Sequence, residues 1–205
     1  MQTESHPLRP FIPSVARVLL LGSFPPPRAR WCIDFFYPNY INDMWRVMGL
    51  VFFHDKLHFV DESRRTFRLD LIVPFLETKG IALYDTATQV CRLKDNASDK
   101  FLEITQPTDV ATLVKPMQML QAIVTTGQKA TDTLLETLRP LCGSINPPAV
   151  GDCTPFVLHG RQLRFYRMPS TSRAYPLSLE KKAEKYAAMF CSLGLLAETP
   201  LNQNF

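Results

Sequence analysis

The stretch "VLLLGSFPPPRARWCIDFFYPNYINDMW", Val18 to Trp45, decides the fold. Its opening residues are aliphatic without alternation, the pattern of a strand buried on both faces. From Gly22 to Asn42 the chain then holds four prolines, six aromatics and two asparagines. A core uses the aromatics but leaves Asn39 and Asn42 unexplained, and a solvated loop does the reverse. A pocket that stacks a flat ligand and hydrogen-bonds its edge uses both.

The pattern continues outward from this stretch. "NDMWRVMGLVF" places Met44, Trp45, Met48 and Val51 at helical spacing, with Asn42 at the N-cap position. "RTFRLDLIVPFLETKG" predicts a helix up to Pro74, bent or restarted there, with Gly80 as its stop. "GIALYD" reads as a second buried strand ending in Asp85, and "LQAIVTTG" as a third, followed by the helix "QKATDTLLETL". "TPFVLHGRQLRFYRMPS" holds two short strands around His159-Gly160, and the last helix starts at Ser178. Leu179, Ala183, Tyr186, Phe190 and Leu193 form its buried stripe. Alternating strands and helices predict a three-layer α/β/α architecture with a central, mostly parallel four-stranded sheet. Ligands bind such sheets beyond the carboxyl ends of the strands. Gly22 to Asn42, Asp85 to Arg92, and Met168 to Tyr175 fall there.

Bulk properties bound the class. With 205 residues and 46% hydrophobic composition, the chain fits one domain over 1–205. A net charge of +4 is compatible with a polyanionic partner without requiring one. The five cysteines contain no CxxC pair, which argues against a disulfide framework or a four-cysteine metal site. Reduced thiols, a polar N-terminus and the lack of a membrane-length apolar run set the expectation of a cytoplasmic protein with no membrane partner; a monomer is expected, although the sequence itself does not reveal the oligomeric state. No dinucleotide fingerprint, P-loop, zinc-protease or nucleophile-elbow motif occurs. His54 and His58 form an i,i+4 pair without a third ligand, read as a surface pair, and His6 falls in the N-terminal tail.

Each candidate has two readings. Gly22 and Ser23 expose backbone N–H groups to an anion or carbonyl, or simply begin a proline-rich turn. At least one of Phe35, Phe36 and Tyr37 belongs to the core, while another has the chemistry to stack on a ligand. Asp85 caps the next helix or accepts an N–H from a ligand. Ser170, Thr171, Ser172 and Arg173 either cap the last helix or contact phosphate near its N-terminus.

In this order the segments resemble the uracil-DNA glycosylase superfamily, and most closely its mismatch-specific and hypoxanthine-DNA glycosylase branches. The resemblance rests on "VLLLGSFPP", "FFYPNYINDMWRVMG", "GIALYDTATQVCR", "IVTTGQKA" and "RMPSTSRAY", which together span most of the chain. It implies hydrolysis of the N-glycosidic bond of a deaminated base, uracil or hypoxanthine, in DNA. Asn42 or Asn39 would be the catalytic residue. Gly22, Ser23, Phe24, Tyr37 and Asp85 would bind the base, and Ser170, Thr171, Ser172 and Arg173 the DNA. No metal or organic cofactor is implied, and no lysine nucleophile is identifiable, so no strand cleavage is expected. The sequence departs from the pattern at two places. Phe24 stands where the mismatch-specific branch carries a catalytic asparagine, and Asn39-Tyr40 replaces the usual His-Pro. Two alternatives therefore remain: a glycosylase fold that binds nucleic acid without cutting, and a small-molecule enzyme acting on a nucleoside or sugar phosphate.

Overall fold

The computed structural model describes residues 3–93 and 101–196. In chain order the elements are β1 (Thr3–Ser5), β2 (Val18–Gly22), α1 (Met44–Phe53), β3 (Val60–Asp61), β4 (Thr66–Phe67), α2 (Leu69–Lys79), β5 (Ile81–Asp85), β6 (Ala87–Arg92) and β7 (Leu102–Pro107). They continue with α3 (Val110–Leu113), β8 (Ala122–Thr126), α4 (Gln128–Cys142), β9 (Cys153–Leu158), β10 (Arg161–Met168) and α5 (Leu179–Ser192).

The central sheet has the order β5-β2-β8-β10-β9. β5, β2, β8 and β10 run parallel, with Val18 opposite both Ile81 and Ala122. β2, β5 and β8 are buried at every residue, which is what helices on both faces require and why their sequences do not alternate. The expected four-stranded sheet thus has a fifth strand. β9 joins the edge antiparallel to β10 through the turn at His159 and Gly160, both at positive φ. The hairpin is local, so its sequence revealed two strands. Membership of the central sheet was decided by the parallel pairing of β10 with β8.

A second sheet, β1-β6-β7, was not anticipated. The Asp85–Arg92 segment is a crevice loop only at its first residues; from Ala87 it is a strand carrying the N-terminal strand on one edge. α2 also differs from expectation. It begins at Leu69, because Thr66 and Phe67 pair with Asp61 and Val60, and it runs through Pro74 to a left-handed Gly80. The cap of α1 shifts by one residue. Asp43 is the N-cap, and the Asn42 Oδ1 accepts the Met44 N–H at 2.8 Å, an Asx turn just ahead of the helix.

α5 starts as its sequence indicates, with the Ser178 hydroxyl accepting from the Lys181 N–H. Its buried face includes Lys182, fully shielded from solvent, beside Ala183, Tyr186 and Phe190. α1 and α5 pack on one another, as do α3 and α4. Trp45 is buried in the core and its indole N–H donates to the Phe36 carbonyl at 3.2 Å. That contact ties the aromatic loop to α1 and pulls Phe36 into the core.

Candidate active site

One cleft of about 510 Å³ opens beyond the carboxyl ends of β2, β5, β8 and β10. That size falls within the roughly 300–1,000 Å³ of small-ligand sites. Its lining draws on all eleven residues singled out by sequence. Gly22, Ser23 and Phe24 follow β2; Tyr37, Asn39 and Asn42 precede α1; Asp85 ends β5; and Ser170 to Arg173 follow β10. Phe36, one of the three aromatics weighed as core or stacking groups, also lines it, as do Arg30 and Thr126. Because the strands are parallel, their carboxyl ends share one edge, and residues far apart in the chain meet there.

The floor is crowded. A Cβ on Gly22 would lie 2.3 Å from the Asp85 Oδ1, so only glycine allows the carboxylate this position. The Asp85 backbone carbonyl accepts from the Thr108 hydroxyl at 2.8 Å, and the Gly22 carbonyl from the Thr86 N–H at 2.8 Å. Asp85 is buried, and its Oδ2 meets the Nε2 of His6 at 2.8 Å. His6 therefore does not belong to a free tail. Its backbone N–H bonds to Thr88, and its ring packs against Tyr84 and Phe24 at centroid distances of 4.7 and 5.2 Å.

Tyr37 sits at φ 50°, a left-handed conformation that is strained for an aromatic residue. Its hydroxyl lies 3.2 Å from the Thr126 Oγ1. Burial, and then the charge of Asp85, push its phenol well above the usual tyrosine range, so it stays neutral across physiological pH.

The two asparagines are locally constrained. The Asn39 Oδ1 accepts the Ile41 N–H at 3.2 Å, and the Asn42 Oδ1 that of Met44. Neither Nδ2 has a partner among the described residues, so both NH2 groups remain as donors at the cleft.

Across the cleft, the 170–173 loop is stapled to the start of α1. The Thr171 carbonyl accepts the Asp43 N–H at 2.9 Å. Lys182 donates to the Asp43 Oδ2 at 2.9 Å and to the Ser172 carbonyl at 2.8 Å. Arg173 reaches the Asp43 Oδ1 at 3.3 Å while staying mostly exposed. The Tyr186 hydroxyl donates to the Pro169 carbonyl at 3.1 Å. Lys182 was missed because "SLEKKAEK" reads as a solvated charge run. A signal existed, since position 182 lies three residues after Leu179 and four before Tyr186, on the buried stripe. Nothing local pointed to His6.

Among the described residues, no group of three or more His, Cys, Asp or Glu is placed to hold a metal ion. His58 instead stacks on Phe53 at 3.6 Å, and His54 closes α1 at positive φ. No helix among them is long and apolar enough to cross a membrane.

No family model and no curated protein matches the sequence. Solved structures do match the fold. One is the solution structure of a protein from Methanosarcina acetivorans described as a "putative Uracil DNA glycosylase". It superposes with a TM-score of 0.59 over 91% of this chain and 96% of that one, at 19% sequence identity. At that identity the likeness is one of fold.

Proposed function

We propose that the chain is a monofunctional DNA glycosylase, hydrolysing the N-glycosidic bond of a deaminated base, uracil or hypoxanthine, flipped out of DNA. The observation that carries this reading is the convergence of stacking, hydrogen-bonding and phosphate-type groups, from four strand ends, on one cleft. The fold shared with the Methanosarcina acetivorans protein supports it.

In this reading the target nucleotide leaves the stack because its glycosidic carbon is unreachable in a duplex. Unstacking costs a few kcal/mol and least for a mispaired base, which itself favours deaminated sites. Arg173 and the hydroxyls of Ser170, Thr171 and Ser172 would hold the flanking phosphates. The base would enter beside Tyr37 and meet Asp85 with its N–H edge. Backbone amides at Ser23 and Phe24 would donate to its carbonyl oxygen, stabilising negative charge as the base departs.

Asn42, or Asn39, would place water against the sugar carbon. Each amide oxygen already accepts one backbone N–H, and its second lone pair can accept a water hydrogen. An amide does not take a proton near neutral pH, so its contribution is orientation rather than base catalysis. The same engagement of both amide oxygens favours a second reading, binding of a base without excision.

The test is base release from oligonucleotides bearing uracil or hypoxanthine, single-stranded and in each mispair, beside the Asn39→Ala/Asn42→Ala double variant. Alkali-dependent cleavage in the wild type and its loss in the variant are expected. Full activity in the double variant overturns the catalytic assignment. Specific binding without release supports the non-cutting reading.

A further inference from the structure

The His6–Asp85 pair lies under the cleft and asks for an explanation beyond folding. His6 is almost wholly shielded, with 2% of its side chain exposed, and β1 delivers it by pairing with β6. A carboxylate only accepts hydrogen bonds, so the His6 Nε2 carries the proton in its 2.8 Å contact with the Asp85 Oδ2. The Nδ1 faces the Leu8 carbonyl at 2.8 Å and the Leu8 N–H at 3.1 Å, so the ring is held with or without a second proton. The contact therefore does not depend on the histidine's charge.

The other oxygen is different. The Asp85 Oδ1 lies against Gly22, where an added Cβ would also come within 3.8 Å of the Tyr37 hydroxyl, and it has no hydrogen-bond partner among the described residues. Asp85 is thus anchored through one oxygen and presents the other, an acceptor, to the cleft. Phe24, Phe36 and Tyr37 line the same cleft and offer aromatic surface to a flat ligand. A ligand N–H can satisfy this acceptor, whereas a ligand offering another lone pair or a methyl group displaces water from it and leaves it unpaired.

We infer that His6 is a positioning residue that fixes Asp85 as a one-way acceptor. The cleft then takes bases presenting a ring N–H, the lactam class, and rejects bases whose corresponding ring nitrogen is bare or alkylated. Uracil and hypoxanthine carry that N–H; unmodified cytosine and adenine carry a lone pair at the same place. The inference rests on the base-binding reading of the cleft and adds the determinant of selectivity. A carboxylate without the His6 contact can turn about its side-chain torsions and loses the fixed acceptor.

Free bases separate this from catalysis. Uracil and 3-methyluracil, hypoxanthine and 1-methylhypoxanthine are titrated into the protein and followed by NMR shifts of cleft residues. Wild-type protein should bind the N–H member of a pair more tightly, on the order of tenfold, the scale of a hydrogen bond to a charged group. His6→Phe keeps the ring packing but removes the donor, and its ratio should fall towards one. His6→Gln, which restores an N–H, should recover part of it. A folded His6→Phe protein that discriminates as well as wild type overturns the role of His6. Wild-type protein that binds both members of each pair equally, yet releases bases from DNA, also overturns it and leaves the glycosylase reading intact. No binding of any base and no base release overturns the base-pocket reading and this inference together.

Discussion

The two walls of the cleft are held by different physics. The wall formed by the 170–173 loop and the start of α1 is fastened by buried charge: Lys182 spans the Asp43 carboxylate and the Ser172 carbonyl, with Thr171 bonded to the Asp43 N–H. The facing wall, the arm from Phe24 to Trp31, is held by stiff prolines and by contacts nearer the surface. The Trp31 indole donates to the Pro26 carbonyl at 2.7 Å, and the Arg28 guanidinium lies over that indole at 4.2 Å while pairing with the exposed Asp34. Arg92 donates to the Pro25 carbonyl and pairs with Glu4, linking this arm to the second sheet. Buried ion pairs hold a single geometry but fail badly when one partner is lost; surface pairs contribute little and are easily replaced. The asparagines lie on the stapled wall, the placement that the water-orienting role proposed for them would require.

The largest expected effect comes from breaking the staple. Lys182→Met fills much of the same space but leaves the buried Asp43 carboxylate with only the mostly exposed Arg173 as an ionic partner. It should destabilise the fold by about 3–5 kcal/mol, the cost of breaking a buried pair. Urea unfolding followed by tryptophan fluorescence checks this. A loss under about 1 kcal/mol, the scale of a surface pair, would erase the distinction between the walls.

An intermediate effect belongs to Arg173, which touches Asp43 but is 62% exposed in its side chain. Arg173→Ala should leave stability nearly unchanged and weaken DNA binding, lowering the salt dependence by about one phosphate contact. Affinity measured at several salt concentrations decides it, and an unchanged slope removes Arg173 from the DNA-binding face. The smallest effect is on the opposite arm. Arg28→Ala should leave the thermal midpoint where it is, since its pair with Asp34 is open to solvent. A clear drop would show that the arm depends on this contact more than on its prolines.

Much of this molecule is written locally. Unbroken aliphatic runs at Val18–Leu21 and Ile81–Leu83 mark strands buried on both faces, and the 3.6-residue spacing of Tyr186 and Phe190 marks a helix face. Because parallel strands place their carboxyl ends together, the sequence also indicated which segments would meet, and the cleft draws on all three, though on Asp85 alone from the Asp85–Arg92 segment. The rest depends on pairings across long separations. His6 finds Asp85 and Lys182 finds Asp43 only once β1 is laid on β6 and α5 on α1. Short-range periodicity shows which face of an element is buried, not which polar group waits on the other side. A lysine on a buried stripe and a histidine near the N-terminus acquire their roles when packing removes water and sets each against a distant carboxylate.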